Sequence, residues 1–255
     1  MLAKNKIKFI RSLDSKKHRE NAGLFVVEGD KMVSEIINSG FKISYLVATE
    51  EWYVSNKQLN LPRAYEKDVV NEDELAKVSF LKSPQNVLCV VEIPRYQLQL
   101  SQLSAKLSLI LDKVQDPGNL GTIIRIADWF GIEHIICSSD TADLYNPKVV
   151  QSTMGAITRV QLHYVCLDEI LTEIQKMDQP VFGATLHGEN IYSCSLPNHG
   201  FIMMGNESKG VNPAYQRFFT NELFIPYFPE DQKRSESLNV AIATAIICSE
   251  FRRRI

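Results

Sequence analysis

Three stretches of the sequence end an apolar run with small and polar residues of the kinds that bind ligands. They read DKVQDPGNLGTIIRIADWFG at 112–131, GFIMMGNESKGV at 200–211 and RSESLNVAIATA at 234–245, and we call them the first, second and third segments. In a parallel α/β sheet, ligands bind outside the carboxyl ends of the strands. The three segments are therefore expected to build one composite site.

The first segment carries an arginine near the start of a helix. The sequence predicts this helix over 119–130, with Asn119 as its N-cap and Gly131 at its end. Arg125 lies off the apolar stripe of the helix, three residues before Asp128. Two interpretations stay open: a surface ion pair between Arg125 and Asp128, or an arginine that orients a phosphate or a polarised hydroxyl.

The second segment places Gly205, Glu207 and Gly210 after a strongly apolar run. Gly205 would let the backbone approach a ligand closely, and Gly210 would permit a tight return of the chain. Glu207 is either a solvated turn residue or part of a site. The spacing of GNESKG differs from that of a phosphate-binding P-loop, and PGNLG differs from the dinucleotide-binding glycine pattern. Neither loop therefore indicates nucleotide binding.

The third segment opens a helix predicted over 237–251, with Ser237 as its N-cap. The helix is apolar on nearly every face, which indicates burial on all sides and favours contact with a partner subunit. Asn239 is the polar exception in the first turn. It either caps the helix or contacts a cofactor or a partner's site.

An alternation of strands and helices would position these segments. In the second half, strands are predicted at 107–113, 133–138, 160–165, 180–185, 200–205 and 222–226, and helices at 119–130, 147–154, 168–177 and 237–251. This order is typical of a parallel sheet with helices on both faces. In the first half, the sequence predicts an amphipathic helix within 1–20, strands at 24–29, 43–49 and 87–93, and helices at 30–39 and 71–78. We expect an α/β domain at 1–95, a polar linker at 96–106 and a second α/β domain at 107–255.

Composition and charge narrow the class of protein. Hydrophobic residues make up 45% of the chain, enough for a packed core. With a net charge of −2, contact with nucleic acid must come from a local patch, and the basic residues within 1–20 supply one. The five scattered cysteines lack metal-ligand spacing and indicate a reducing compartment. The start of the chain is not typical of a signal peptide, and no apolar run approaches the ~20 residues of a membrane helix. We expect a cytoplasmic protein with no membrane and no metal partner.

The order of the three segments resembles the motifs of the SPOUT methyltransferases, most closely the TrmH/SpoU family, which methylates ribose 2′-hydroxyls in RNA. The matching residues are Asn119, Gly121 and Arg125 in the first segment, Gly205, Asn206 and Glu207 in the second, and Ser237, Leu238, Asn239 and Val240 in the third. The resemblance covers residues 107–255. Ser208 departs from it, because a second glycine usually follows the glutamate. The stretch FVVEGDKMVSEIINSG is similar to a small RNA substrate-binding domain of the family.

The resemblance implies a SPOUT domain with a parallel sheet and a trefoil knot, S-adenosylmethionine as cofactor, rRNA or tRNA as substrate, and a homodimer with its site across the interface. The residues that it implies for cofactor binding are Thr185, Leu186, Gly205, Ile225 and Leu238. Those that it implies for catalysis are Arg125, Asn119, Glu207, Ser237 and Asn239. Because an arginine side chain does not give up its proton in proteins, Arg125 is better suited to orient the ribose hydroxyl than to deprotonate it.

Two further hypotheses stay open beside an RNA methyltransferase. One is a catalytically inactive RNA-binding protein of the same fold, which the presence of Asn119, Arg125, Glu207 and Asn239 argues against. The other is an unrelated α/β enzyme that uses a nucleotide, which the lack of a recognisable phosphate loop argues against.

Overall fold

The computed structural model describes residues 2–59, 66–228 and 237–253. Contacts divide the chain into two compact units. The first comprises Met1–Arg95 with Asp143–Thr158, and the second comprises Tyr96–Ala142 with Arg159–Ile255. Within the described ranges, no helix has both the length and the apolar character needed to cross a membrane.

Both units contain strands and helices. The strands are β1 (Leu24–Glu28), β2 (Ile43–Thr49), β3 (Glu66–Val70), β4 (Val87–Glu92), β5 (Leu107–Leu111), β6 (His134–Ser138), β7 (Gln161–Val165), β8 (Val181–Asn190), β9 (Gly200–Met204) and β10 (Asn221–Phe224). The helices are α1 (Lys4–Ser12), α2 (Lys16–Ala22), α3 (Asp30–Ser39), α4 (Glu50–Ser55), α5 (Glu72–Ala76), α6 (Pro117–Trp129), α7 (Pro147–Thr153), α8 (Leu167–Lys176) and α9 (Val240–Arg253).

The first unit contains a mixed sheet in the order β1-β4-β2-β3. β4 pairs antiparallel with β1 and β2, and β2 pairs parallel with β3. Its basic start, predicted as one helix, is two helices, because the chain turns at Leu13–Ser15 between α1 and α2. β3 was not predicted from the sequence, because its largely exposed polar residues give no apolar pattern. α4, a short helix capped by Thr49, was not predicted either.

The segment Asp143–Thr158 joins the first unit although it comes from the second half of the sequence. Asp143 accepts a hydrogen bond at 2.5 Å from the buried guanidinium of Arg19 on α2. The Tyr145 ring lies 4.7 Å from the ring of Phe25 on β1. The predicted domain 1–95 therefore lacks a part of the chain that completes its packing, and its boundaries stay a prediction.

The second unit is built on a six-stranded sheet in the order β10-β8-β9-β5-β6-β7. Every pairing in it is parallel, which confirms the predicted parallel sheet. β5 and β9 are neighbours in the middle of the sheet, and all their residues are buried. Because Leu111 pairs with Met204, the first and second segments leave the sheet side by side.

Residues 96–106, predicted as a polar linker, are partly packed. A short 3₁₀ helix covers Leu100–Leu103, and Leu103 is buried in the core of the second unit. Leu98 and Leu100 also pack against this core. The alternating leucines within a polar stretch were the signal for this packing, and the sequence analysis did not use it.

Candidate ligand-binding site at the carboxyl ends of the central strands

Glu207 joins the second segment to the first. Its carboxylate accepts hydrogen bonds from the backbone N–H groups of Gln115 and Asp116, at 3.3 and 3.1 Å, and from the Asn119 side chain at 3.1 Å. The Asn206 side chain donates a further bond at 3.2 Å. Burial favours the neutral acid, but the hydrogen bonds from Asn119 and from the backbone outweigh burial and hold the pKa of Glu207 below its usual value. Glu207 is therefore an ionised acceptor of hydrogen bonds and not a solvated turn residue.

Asn119 connects Glu207 to the third segment. While its Nδ2 donates to Glu207, its Oδ1 accepts a hydrogen bond from Asn239 at 2.9 Å. The predicted capping role of Asn119 is wrong: α6 begins at Pro117, and the cap is Asp116, whose carboxylate accepts the Asn119 N–H at 2.8 Å. An acidic residue followed by proline is a common helix start. Freed from capping, the Asn119 side chain bridges the first segment to the other two.

Asn239 has the capping role that its position suggested, and it also contacts the first segment. Its Oδ1 accepts hydrogen bonds from the N–H groups of Ala241 and Ile242, at 2.9 and 3.3 Å, and so caps α9. Its Nδ2 donates to Asn119. The helix begins at Val240, so the prediction of Ser237 as its N-cap is wrong. Ser237 and Leu238 lie in the exposed, irregular stretch just before the cap.

Arg125 has no hydrogen bond or ion pair in the part of the chain that the structure describes, and its side chain is exposed. Of the two interpretations left open, the ion pair of Arg125 with Asp128 is wrong. Arg159 binds both carboxylate oxygens of Asp128, at 2.8 and 2.9 Å. The sequence analysis missed Arg159 because it lies 31 residues further along the chain. Arg125 is therefore an unpaired cation in the first helix of the site.

The turn of the second segment, residues 205–210, is closed by its own backbone. Asn206 and Gly210 exchange two hydrogen bonds, both 2.9 Å long. A Cβ added to Gly205 would lie 2.1 Å from Gly210 C and from Val211 N. The crossing of the chain on itself is therefore enough to require glycine at 205. Among the described residues, Gly210 but not Ser208 has a positive φ, so serine fits the turn without strain.

Of the residues expected to hold a cofactor, Thr185 and Leu186 lie on β8, Gly205 follows β9, Ile225 follows β10 and Leu238 precedes α9. β10 pairs with Phe182 and Gly183 of β8 and then with Glu189 and Asn190. Residues 184–188 of β8 therefore have no pairing partner on β10. Thr185, on this stretch, has a buried Oγ1 without a hydrogen-bond partner in the described residues. Both leucines of this set are exposed, Leu186 at 54% and Leu238 at 48%. Ile225, directly after β10, is half-buried.

These residues fit an adenosyl ligand in their chemistry. The exposed leucines offer an apolar surface for a flat ring, and the unpaired Thr185 hydroxyl offers one polar contact, the usual combination in small-molecule sites. Among the described residues, no group of three or more histidine, cysteine, aspartate or glutamate side chains is placed to hold a metal ion.

Two ranges of the chain match models of known protein families. Residues 106–249 match the model of the SpoU rRNA methylase family, and residues 4–89 match that of the MRM3-like substrate binding domain. A 23S rRNA (guanosine(2553)-2′-O)-methyltransferase, RlmP, from Bacillus subtilis is 29% identical over 98% of this chain and 97% of its own length.

Solved structures with this fold cover the whole chain. One from Porphyromonas gingivalis, assigned to the TrmH family of RNA methyltransferases, is 38% identical with a TM-score of 0.90, and each chain covers 100% of the other. An AdoMet-bound rRNA methyltransferase from Sinorhizobium meliloti is 30% identical with a TM-score of 0.84, over 100% of this chain and 97% of that one.

Proposed function

This chain belongs to the SpoU rRNA methylase family, and on that premise we propose that it methylates a ribose 2′-hydroxyl of 23S rRNA, using S-adenosylmethionine. The observation that carries the proposal is the chain of hydrogen bonds Asn239–Asn119–Glu207, which joins all three segments beside an unpaired arginine. The choice of 23S rRNA rests on the name of the B. subtilis relative. An rRNA substrate also supports a cytoplasmic location.

S-adenosylmethionine would supply a methyl group on a positively charged sulfur. Thr185, Leu186, Ile225 and Leu238 would hold its adenosyl part, with the Thr185 hydroxyl as the polar contact. The turn that begins at Gly205 would form the adjoining wall. A trefoil knot, which the resemblance implies for this part of the chain, belongs to the same proposal.

Arg125 would orient the nucleophile. An unpaired guanidinium can bind a ribose oxygen and an adjacent phosphate at once, because its five donors lie in one plane. In water, the hydroxyl and the methyl donor must lose translational and rotational freedom in order to react. An enzyme that holds the hydroxyl in line with the methyl group has already removed that freedom on binding. Arg125 has no carboxylate partner in the described residues that would compete for these bonds.

The remaining site residues would hold the site together or contact the substrate, and none of them is assigned to proton transfer. Glu207 is a weak candidate for the general base, since its oxygens already accept four N–H donors and its pKa is held low. We assign it, with Asn119 and Asn239, to fixing the start of α6 relative to the turn and to α9. Ser237 is exposed at the edge of the site and would contact the substrate.

The first unit would dock the RNA. It matches a substrate-binding domain model, and its first two helices expose a group of basic residues: Lys4, Lys8, Lys16, Lys17 and His18. Contacts of lysines with phosphates make affinity fall steeply with salt.

Deletion of residues 1–95 is a poor test of this role, because it would remove the packing partners of Asp143 and Tyr145. Substitution of Lys4 and Lys8 is the cleaner test, because neither side chain is packed.

A homodimer would form through α6 and α9, which run side by side. Asn119 contacts Asn239 at their starts, and Arg252 donates to the carbonyl of Phe130 at their ends. Trp129 on α6 is 85% exposed and Ile242 on α9 is 52% exposed. Large exposed apolar side chains mark contact surfaces, and tryptophan is enriched among the residues that dominate binding energy.

We expect the protein to be a dimer at micromolar concentration and Trp129→Asp to convert it to a monomer. The change places a charge at the centre of the proposed interface and disturbs no packed contact within the chain. Light scattering gives the mass directly. Phe9→Asp, which alters an exposed aromatic residue of the first unit, is the control and should stay dimeric. A dimer that survives Trp129→Asp would exclude this surface.

The catalytically inactive alternative gains no support from the structure. Ser208, the residue that departs from the family pattern, donates its N–H to Asn206 and fits the turn without a positive φ.

Ribose-methylation mapping of RNA from cells with and without the gene tests the choice of substrate. We expect one 2′-O-methyl signal in 23S rRNA to disappear and to return when the gene is restored. Loss of a signal in tRNA instead would keep the chemistry and overturn the substrate.

A further inference from the structure

Asp112 and Lys113 directly follow β5, and they accept hydrogen bonds from both ends of the turn 205–210. The Asp112 carboxylate accepts the N–H of Asn212, just past the turn, at 2.8 Å. The Lys113 carbonyl accepts the side-chain N–H of Asn206, at the start of the turn, also at 2.8 Å. Two consecutive residues therefore fix both points at which the chain enters and leaves the turn.

The backbone at Lys113 is strained. Its φ of 58° lies in the left-handed region that residues other than glycine rarely adopt. Two contacts of Lys113 itself hold it there: its N–H donates to Ser138 Oγ at 2.9 Å, and its ammonium group lies 3.3 Å from Asp140. This conformation accompanies the contact of the Lys113 carbonyl with Asn206. Strain of this kind persists where the surroundings over-determine the conformation, and it concentrates at functional sites.

Asp112 is costly to the folded state for a separate reason. Its side chain is only 2% exposed, and one oxygen, Oδ1, has no hydrogen-bond partner in the described residues. A buried carboxylate with an unpaired oxygen destabilises a fold. Stability of the fold alone therefore does not explain Asp112. Its other oxygen, Oδ2, accepts the hydrogen bond from Asn212 at the end of the turn.

We propose that Asp112 and Lys113 are positioning residues that hold the turn 205–210 in the conformation that binds S-adenosylmethionine. The inference rests on the proposed function, because the turn is assigned to the cofactor site there. Neither residue is expected to touch the substrate or the cofactor. They would act on the turn through Asn206 and Asn212. Substitution of either residue would therefore lower the affinity for the cofactor more than the affinity for RNA.

Calorimetric titration of the full-length protein with S-adenosylmethionine tests the role of Asp112. Asp112→Ala removes the acceptor for the Asn212 N–H and should weaken cofactor binding by about tenfold or more, the usual effect of losing a charged hydrogen-bond partner. Asp112→Asn keeps a carbonyl oxygen for the same N–H and should recover most of the affinity. RNA binding should change little in either variant.

Lys113→Val is the independent test, and Asp178→Val is its matched control. Both positions have left-handed backbone, with φ of 58° and 53°, so a β-branched residue should lower both melting temperatures. Only Lys113→Val should also weaken cofactor binding, because Asp178 lies just past α8, where its N–H donates to the carbonyl of Gln175 in that helix, and it has no hydrogen bond to the turn 205–210 among the described residues.

The outcomes separate this inference from the proposed function. Failure of the wild-type protein to bind the cofactor would overturn both. A wild type that binds, with Asp112→Ala and Lys113→Val binding equally well, would overturn the positioning role alone. Should Asp112→Ala fail to fold, the comparison of Lys113→Val with Asp178→Val decides: equal cofactor affinity in the two would overturn the inference.

Discussion

Replacement of Arg125 by alanine is expected to lower the rate of methyl transfer by roughly 100- to 1,000-fold, the usual loss when a group that orients or stabilises the reacting oxygen is removed. The melting temperature should hardly change. The Arg125 side chain is exposed, and the carboxylate beside it, Asp128, is paired with Arg159. Its removal therefore opens no cavity and leaves no carboxylate unpaired. Transfer of tritiated methyl to RNA gives the rate, and calorimetry confirms the fold.

Two further variants sharpen the role of Arg125. Arg125→Lys keeps the charge but loses the planar set of donors, so it should also be badly impaired if two oxygens must be held at once. Arg217→Ala removes an exposed arginine outside the site and should keep the wild-type rate. Wild-type rates in both Arg125 variants would make Arg125 an ordinary surface residue.

Gly205→Val should abolish cofactor binding and lower stability. A Cβ at this position would lie 2.1 Å from two backbone atoms of the returning chain, and backbone cannot move aside as a flexible side chain can. The turn would have to open, which would break the paired hydrogen bonds between Asn206 and Gly210 and shift Glu207. Overpacking of this kind costs about 1–3 kcal/mol or more. Cofactor titration and thermal unfolding measure the two effects.

The control for Gly205→Val is Gly40→Ala. Gly40 has a positive φ, but nothing lies within 4 Å of an added Cβ, so the cost is backbone strain of about 1 kcal/mol. This variant should keep full cofactor affinity. If Gly205→Val bound the cofactor as the wild type does, the turn could not be a wall of the cofactor site.

Much of the second unit was predictable because its signals are local. Apolar runs of strand length separated by helical patterns predicted the parallel sheet, and Gly131 does end α6, with the left-handed φ expected of glycine there. The composite site was predictable because parallel strands bring their carboxyl ends to one edge. Asn119, Glu207 and Asn239 do meet in direct hydrogen bonds.

What could not be predicted depends on partners far apart in the sequence. Both Asp116 and Asn119 are residue types that cap helices, and Asp116 is the cap of α6. The Asn119 side chain instead binds Glu207, which lies 88 residues further along the chain. The pairing of Asp128 with Arg159, and of Arg19 with Asp143, likewise follows from tertiary packing alone. The reason for Gly205 was hidden because a close approach to a ligand and a close approach to the chain itself require the same residue.

The most direct test of the account is the chemical position of the transferred methyl group. Purified protein is incubated with S-adenosylmethionine that carries a tritiated methyl group and with 23S rRNA, and the RNA is then digested to nucleosides and separated. The account predicts that the label appears in a single 2′-O-methylated nucleoside and that Arg125→Ala lowers its amount by roughly 100-fold or more. Label on a base, or no label from protein that binds both RNA and cofactor, would contradict it.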